Sequence, residues 1–128
     1  MKTKRPSKQR KALYDSRGQR TRKLMSASLS KELRGTQGRR LYQVRKGDTV
    51  KILRGDFAGV EGKVTEIDKS AQRLFVEGVT REKTSGTSSN VSVHCSKVMI
   101  TKLNLDDKWR AESIKVLAGK EELEDAHE

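Results

Sequence analysis

Apolar residues settle into a regular pattern at Gly47. Over Asp48–Leu53 they alternate, placing Val50 and Ile52 on one face, and the segment is predicted as a strand. Arg54–Gly59 reads as a turn and Val60–Ile67 as a second strand. Asp68–Gln72 is a polar turn, and Arg73–Glu77 is a third strand ending at Gly78. Val79–Lys83 and Val91–Val93 flank a loop over Ser85–Asn90, and Val98–Leu103 closes the set. Short strands joined by Gly-rich turns predict a mainly β fold, a small and strongly curved barrel. Val64 and Ile67 are three residues apart, so both reach one core only if that strand bends or bulges.

On either side of this unit the pattern is weaker. Ser7–Tyr14 is predicted to form about two helical turns, with Ser7 as N-cap and Leu13 and Tyr14 docking. Arg17–Lys23 has no apolar residue and reads as extended chain. Leu29 and Leu33 stand at helical spacing, so a short helix is expected near residues 30–36, stopped by Gly35 and Gly38. Beyond residue 103, Asn104, Asp106 and Asp107 suit an N-cap and first turn. Trp109, Ser113, Val116 and Leu117 then fall on one side of a helix that Gly119 can end, and Glu121–Glu128 is an acidic tail.

Composition limits what such a chain can be. Its 128 residues are 32% hydrophobic and 4% aromatic, with a mean hydropathy of −0.84. Two full cores are implausible at that size, and extensions that gain order from a partner are expected. The net charge of +12 is uneven: residues 1–46 carry +14, residues 47–103 +2 and residues 104–128 −4. Three segments follow: a basic extension (1–46), a barrel (47–103), and a C-terminal helix with an acidic tail (104–128). Fourteen excess positive charges repel one another alone but become favourable beside a polyanion, where each neutralised phosphate releases counterions. No helical period pairs a broad apolar face with a basic one, which argues against a membrane surface. No apolar run is long enough to span a bilayer, and no secretory signal is expected. The single cysteine, Cys95, excludes a disulfide framework and suits a reducing cytoplasm.

Four glycines, Gly47, Gly55, Gly59 and Gly62, lie within sixteen residues. A phosphate-binding Gly-rich loop needs other spacing and a following helix, whereas a β-branched strand follows here. The stretch Lys46-Gly-Asp-Thr-Val-Lys-Ile-Leu-Arg-Gly-Asp-Phe-Ala-Gly-Val-Glu-Gly-Lys-Val64, with Ile67, resembles the KOW motif. That motif builds SH3-like barrels in ribosomal proteins and in transcription elongation factors of the NusG type. Lys8-Gln-Arg-Lys11, Arg22-Lys-Leu-Met-Ser26, Leu29-Ser-Lys-Glu-Leu-Arg34 and Gly38-Arg-Arg40 resemble the N-terminal extension of one KOW family. It is the large-subunit ribosomal protein called L twenty-four in bacteria and archaea and L twenty-six in eukaryotes. Val76-Glu-Gly-Val79 and His94-x-Ser-Lys-Val-Met-Ile100 fit its archaeal and eukaryotic branch. The resemblance spans roughly residues 5–110, with Cys95 standing where relatives often carry proline.

The resemblance implies binding to large-subunit rRNA near its 5′ region, early participation in subunit assembly, and a position by the polypeptide exit tunnel. The implied partners are rRNA and neighbouring ribosomal proteins, with one copy per ribosome, no membrane and no cofactor or metal. Candidate contacts on the extension are Lys4, Arg5, Lys8, Arg10, Lys11, Arg17, Arg20, Arg22, Lys23, Lys31, Arg34, Arg39, Arg40 and Lys46. On the barrel they are Lys51, Arg54, Gly55, Phe57, Gly59 and Lys63. Cations on an extended arm can follow RNA phosphates, and five aromatics are too few for stacking to be the main mode. Phe57 either plugs the barrel end or stacks on a nucleotide.

Other signals carry less. Arg54-Gly55-Asp56 and Asn90-Val-Ser92 spell an adhesion tripeptide and a glycosylation sequon, both chance matches in a cytoplasmic chain. His94, Cys95 and distant His127 do not make a zinc site, and Cys95 reads as a packing residue. No catalytic constellation is present. A KOW transcription elongation or antitermination factor is the alternative, but it needs an α/β domain for which 46 Arg/Lys-rich residues leave no room. If the core lies wholly within 47–103, a chain lacking residues 1–40 keeps a folded barrel.

Overall fold

The computed structural model describes residues 3–16 and 18–114. In chain order its elements are α1 (Pro6–Tyr14), α2 (Gln19–Leu24), β1 (Ser26–Leu29), α3 (Lys31–Gln37), β2 (Leu41–Gln43), β3 (Thr49–Ile52), β4 (Glu61–Asp68), β5 (Arg73–Glu82), β6 (Ser88–His94), a 3-10 turn (Cys95–Lys97) and β7 (Val98–Lys102). A final helix, α4, occupies residues 108–114. The strands form one seven-stranded sheet in the order β2-β1-β7-β3-β4-β5-β6, antiparallel except where β1 meets β7. Residues from six of the strands converge on one buried cluster around Leu29, Val50, Ile52, Val64, Leu74, Val93 and Ile100. A flat sheet cannot do this, so the sheet curls around its core, and the fold is mainly β as expected.

The predicted strands 48–53, 60–67 and 98–103 are present, each shifted by no more than a residue at either end. The irregularity read from Val64 and Ile67 is also there. The β4–β5 register slips between Val64 and Glu66, which lets buried Val64 and half-buried Ile67 both meet the core. Gly78 does not end a strand. β5 runs through it for ten residues, and the β5–β6 register shifts between Phe75 and Thr80, where Gly78 sits at φ +82°. Gly62 serves packing: a Cβ there would lie 2.5 Å from the Glu77 carbonyl oxygen.

The extension differs from expectation in four places. α1 starts at Pro6, whose fixed φ suits the first helical position, so Ser7 lies inside the helix and caps nothing. Residues 19–23 of the stretch 17–23 expected as extended chain are helical, in α2, since Gln, Arg, Lys and Leu are good helix formers even without an apolar face. Ser26–Leu29 is a strand, inserted between β2 and β7. α3 lies one residue beyond its expected place, with the Ser30 hydroxyl accepting from the Leu33 N–H at 3.3 Å; Gly38 ends it in a left-handed turn, and Gly35 lies within it. The boundary expected at residue 46 therefore cuts through the sheet. α1 and α2 bury no residue, whereas Met25, Ala27, Leu29 and Val44 are core. Arg17, and the expected helix face at Val116 and Leu117, the stop at Gly119 and the tail Glu121–Glu128, lie outside the described residues.

One buried ion pair ties the barrel to both flanks. Asp48 is 0% and Arg110 3% exposed. Arg110 donates to the two Asp48 carboxylate oxygens at 2.6 and 2.9 Å, and to the Asn104 and Gln43 carbonyls at 3.0 and 3.1 Å. Asp48 also accepts the Arg45 N–H at 2.8 Å and the Asn104 N–H at 2.9 Å. Gly47, at φ +89°, makes room for this junction: a Cβ there would fall 2.5 Å from Asn104 Nδ2.

Two outcomes are expected from this core. Leu29→Ala costs about 3 kcal/mol in urea denaturation, and deleting residues 1–40 abolishes cooperative melting while deleting residues 1–24 preserves it. Asp48→Ala strands a buried guanidinium and costs about 3–5 kcal/mol, whereas the double change Asp48→Ala with Arg110→Met recovers much of that loss.

Candidate nucleic-acid interface

The candidate cations stand on four supports. α1 presents Lys8 and Lys11 three residues apart, hence on one face, with Arg10 beside them. α2 repeats the arrangement with Arg20 and Lys23, and carries Arg22. α3 carries Lys31 and Arg34 and leads through Gly38 into Arg39 and Arg40. On the barrel, Lys51 points outward between buried Val50 and Ile52, and Lys63 lies opposite Thr49 on the same outer face. Lys4, Arg5, Lys46 and Arg54 complete the set, and every described member is exposed.

Their partners divide these charges more finely than a count does. Among the described residues, the ion pairs are Arg45 with Asp107 and Arg110 with Asp48. The candidate cations therefore meet no carboxylate among the described residues. Arg34 is partly engaged, its Nε donating to the Leu29 carbonyl at 2.8 Å. Arg45 and Arg110, two of the charges in the sequence count, serve the fold.

The Gly55–Gly59 turn, a candidate contact, has part of its backbone engaged within the fold. Gly59 N–H donates to the Ile52 carbonyl at 2.8 Å and Ala58 N–H to that of Gly55 at 3.1 Å, so both donors are used inside the turn. Phe57 is half-buried against the core, as a plug of the barrel end should be. It also lines a cleft of about 130 Å³ with Arg54, Arg73, His94, Lys97 and one acid, Asp56. Arg73 and His94 face each other across β5 and β6. Strand pairing assembles this basic cluster from residues up to 43 apart, and only the register of β5 against β6 could have signalled it. A second groove, of about 510 Å³, brings Arg22, Lys46 and Lys69 together beside β4. Lys69 was missed because its turn reads as a plain polar connection.

Two titrating groups are shifted by their surroundings. The Asp68 carboxyl is held below its ordinary range by the Ser70 hydroxyl and by the Ala71 and Ser70 N–H groups, which close its turn. Burial pushes the Cys95 thiol up, and that thiol donates to the Leu24 carbonyl at 3.3 Å. Cys95 is thus a packing residue joining α2 to the 3-10 turn. Among the described residues no group of three or more His, Cys, Asp or Glu side chains is placed to hold a metal ion, and no helix is long and apolar enough to cross a membrane.

The family model for ribosomal proteins L26 of eukaryotes and L24P of archaea matches residues 3–116. The chain belongs to this family. It is 47% identical over 109 residues to the large ribosomal subunit protein uL24 of Saccharolobus solfataricus, covering 85% of this chain and 92% of that one. Identity to uL24 of Korarchaeum cryptofilum is 46% over 110 residues, covering 86% and 84%; for Sulfolobus acidocaldarius it is 46% over 109, covering 85% and 81%. The family is a structural, non-enzymatic one of the translation machinery. The match takes in the helical extension and all of α4 as described, so both flanks of the barrel are family features.

The shielded thiol gives a direct check on the fold. Cys95 should alkylate at least tenfold more slowly in the native protein than in denaturant at neutral pH, followed by mass spectrometry.

Proposed function

We propose that this protein is a structural constituent of the large ribosomal subunit and binds its rRNA mainly through shape and phosphate contacts. The observation that carries this reading is the separation of roles among the basic residues. Arg110 is paired with Asp48 inside the fold and Arg45 with Asp107 at the surface, while the other exposed cations from Lys4 to Lys63 meet no carboxylate among the described residues. Membership of the ribosomal family supports rRNA as that anion. Phosphates lie at near-regular intervals along folded RNA, and cations on separate short elements can follow them where one flat face cannot.

On this reading residues 25–103 are a preformed platform, and α1 and α2, which bury nothing, reach into the RNA and gain their final placement from it. The contact lies in the 5′ region of the large-subunit rRNA and is made early in assembly, and the protein comes to rest near the polypeptide exit tunnel. Its cellular place is the ribosome, in the cytoplasm, beside neighbouring ribosomal proteins.

The test is the salt dependence of binding to a 5′-region rRNA fragment. If ten arm cations engage phosphates, log K falls against log salt with a slope of about −7 to −9, and deletion of residues 1–24 makes it shallower by several units. A slope near about −2 for the full chain overturns the phosphate reading. Sucrose-gradient fractionation should find the protein with large subunits at moderate salt, and its confinement to polymerase fractions overturns the ribosomal one.

A further inference from the structure

Trp109 is the one tryptophan of the chain and is 79% exposed. Its position is fixed nevertheless. Its backbone N–H donates to Asp107 Oδ1 at 3.1 Å, its backbone carbonyl accepts from the Ser113 hydroxyl at 2.7 Å, and the next residue, Arg110, is locked into the buried pair with Asp48. The indole is therefore held out on a rigid base. It borders a groove of about 290 Å³ lined also by Leu41, Tyr42, Arg39, Arg45 and Ser113. The Arg110 guanidinium lies 5.2 Å from the Tyr42 ring centroid and covers that ring, while Leu41 is 59% exposed. Among the described residues no carboxylate lines the groove itself; Asp107 pairs with Arg45 at its edge.

We propose that this groove takes one unpaired nucleotide of RNA, its base stacked on Trp109 and a flanking phosphate held by Arg39. The proposal rests on the RNA-binding reading above and adds a base-stacking site to a surface otherwise made of phosphate contacts. An exposed ring beside guanidinium groups matches a nucleotide, which offers both a π-face and an anion. A protein partner able to use the ring would bring apolar surface against two guanidinium groups. Arg39 and Trp109 are 70 residues apart, so only the folded chain brings them to one groove.

Because no other tryptophan is present, indole emission of the full chain reports this site alone. The protein is titrated with single-stranded RNA of about ten nucleotides, an abasic strand of equal length, and a blunt duplex. All three should bind through the cations, but only the base-bearing single strand should quench emission. Trp109→Ala should weaken that strand about tenfold and leave the duplex within about twofold. Equal quenching by the abasic strand, binding without quenching, or unchanged single-strand affinity of Trp109→Ala each overturns the groove while leaving RNA binding intact. Failure of all three RNAs to bind removes the broader reading and the groove with it. Unchanged RNA affinities with lost incorporation of Trp109→Ala into large subunits assigns the groove to a protein and overturns the proposal.

Discussion

A buried carboxylate must find donors for both oxygens, and in this small fold that requirement draws four chain segments to one point. Asp48 follows the glycine that opens the barrel, and its donors come from the turn before it, the exit from β7 and the helix α4. Arg110 meets the requirement from the other side. The four N–H groups of its terminal nitrogens all have acceptors, two on Asp48 and one each on the Gln43 and Asn104 carbonyls. Lysine has no planar fork and cannot replace it. A buried pair of this kind adds little net stability over apolar residues, but an unpaired member is costly, so alternative packings of the flanks are strongly disfavoured. The edge strand β2, the end of β7 and α4 are thereby joined to the barrel, and the groove beside Trp109 exists because of that joint.

The barrel strands were legible because period-two alternation survives in them: Val50 and Ile52, and Leu74 and Val76, each point to one core. The β4 bulge was legible for the opposite reason, since Val64 and Ile67 break that period. β1 carries the same signal in Met25-Ser-Ala-Ser-Leu29, whose odd positions are all buried. It was overlooked because Leu29 and Leu33 also satisfy a helical spacing, and both readings are true in succession: Leu29 ends a strand and Leu33 belongs to α3. Gly78 misled because glycine interrupts strands as a bulge as readily as it ends them.

The candidate surface was legible as a list of cations and not as a geometry. Exposure followed from residue type, but which arginines are engaged inside the fold depends on contacts across more than 60 residues, as with Arg45 and Asp107 or Arg110 and Asp48. The cluster of Arg54, Arg73, His94 and Lys97 likewise exists only once β5 and β6 are in register.

This geometry changes how the extension contributes to the proposed RNA contact. Ordering a backbone residue costs about 1–2 kcal/mol, so a cation on free chain gives up part of its attraction to phosphate in being placed. Lys31, Arg34, Arg39, Arg40 and Lys46 avoid that cost, because β1 and β2 are already built into the sheet and α3 is tied between them. Cations on α1 and α2 do not, since those helices bury no residue against the barrel. The first set can align the RNA on contact, and the second adds affinity as the first twenty or so residues settle. The extension is thus two devices in series, a preformed edge and an arm, divided at Met25 where the core begins.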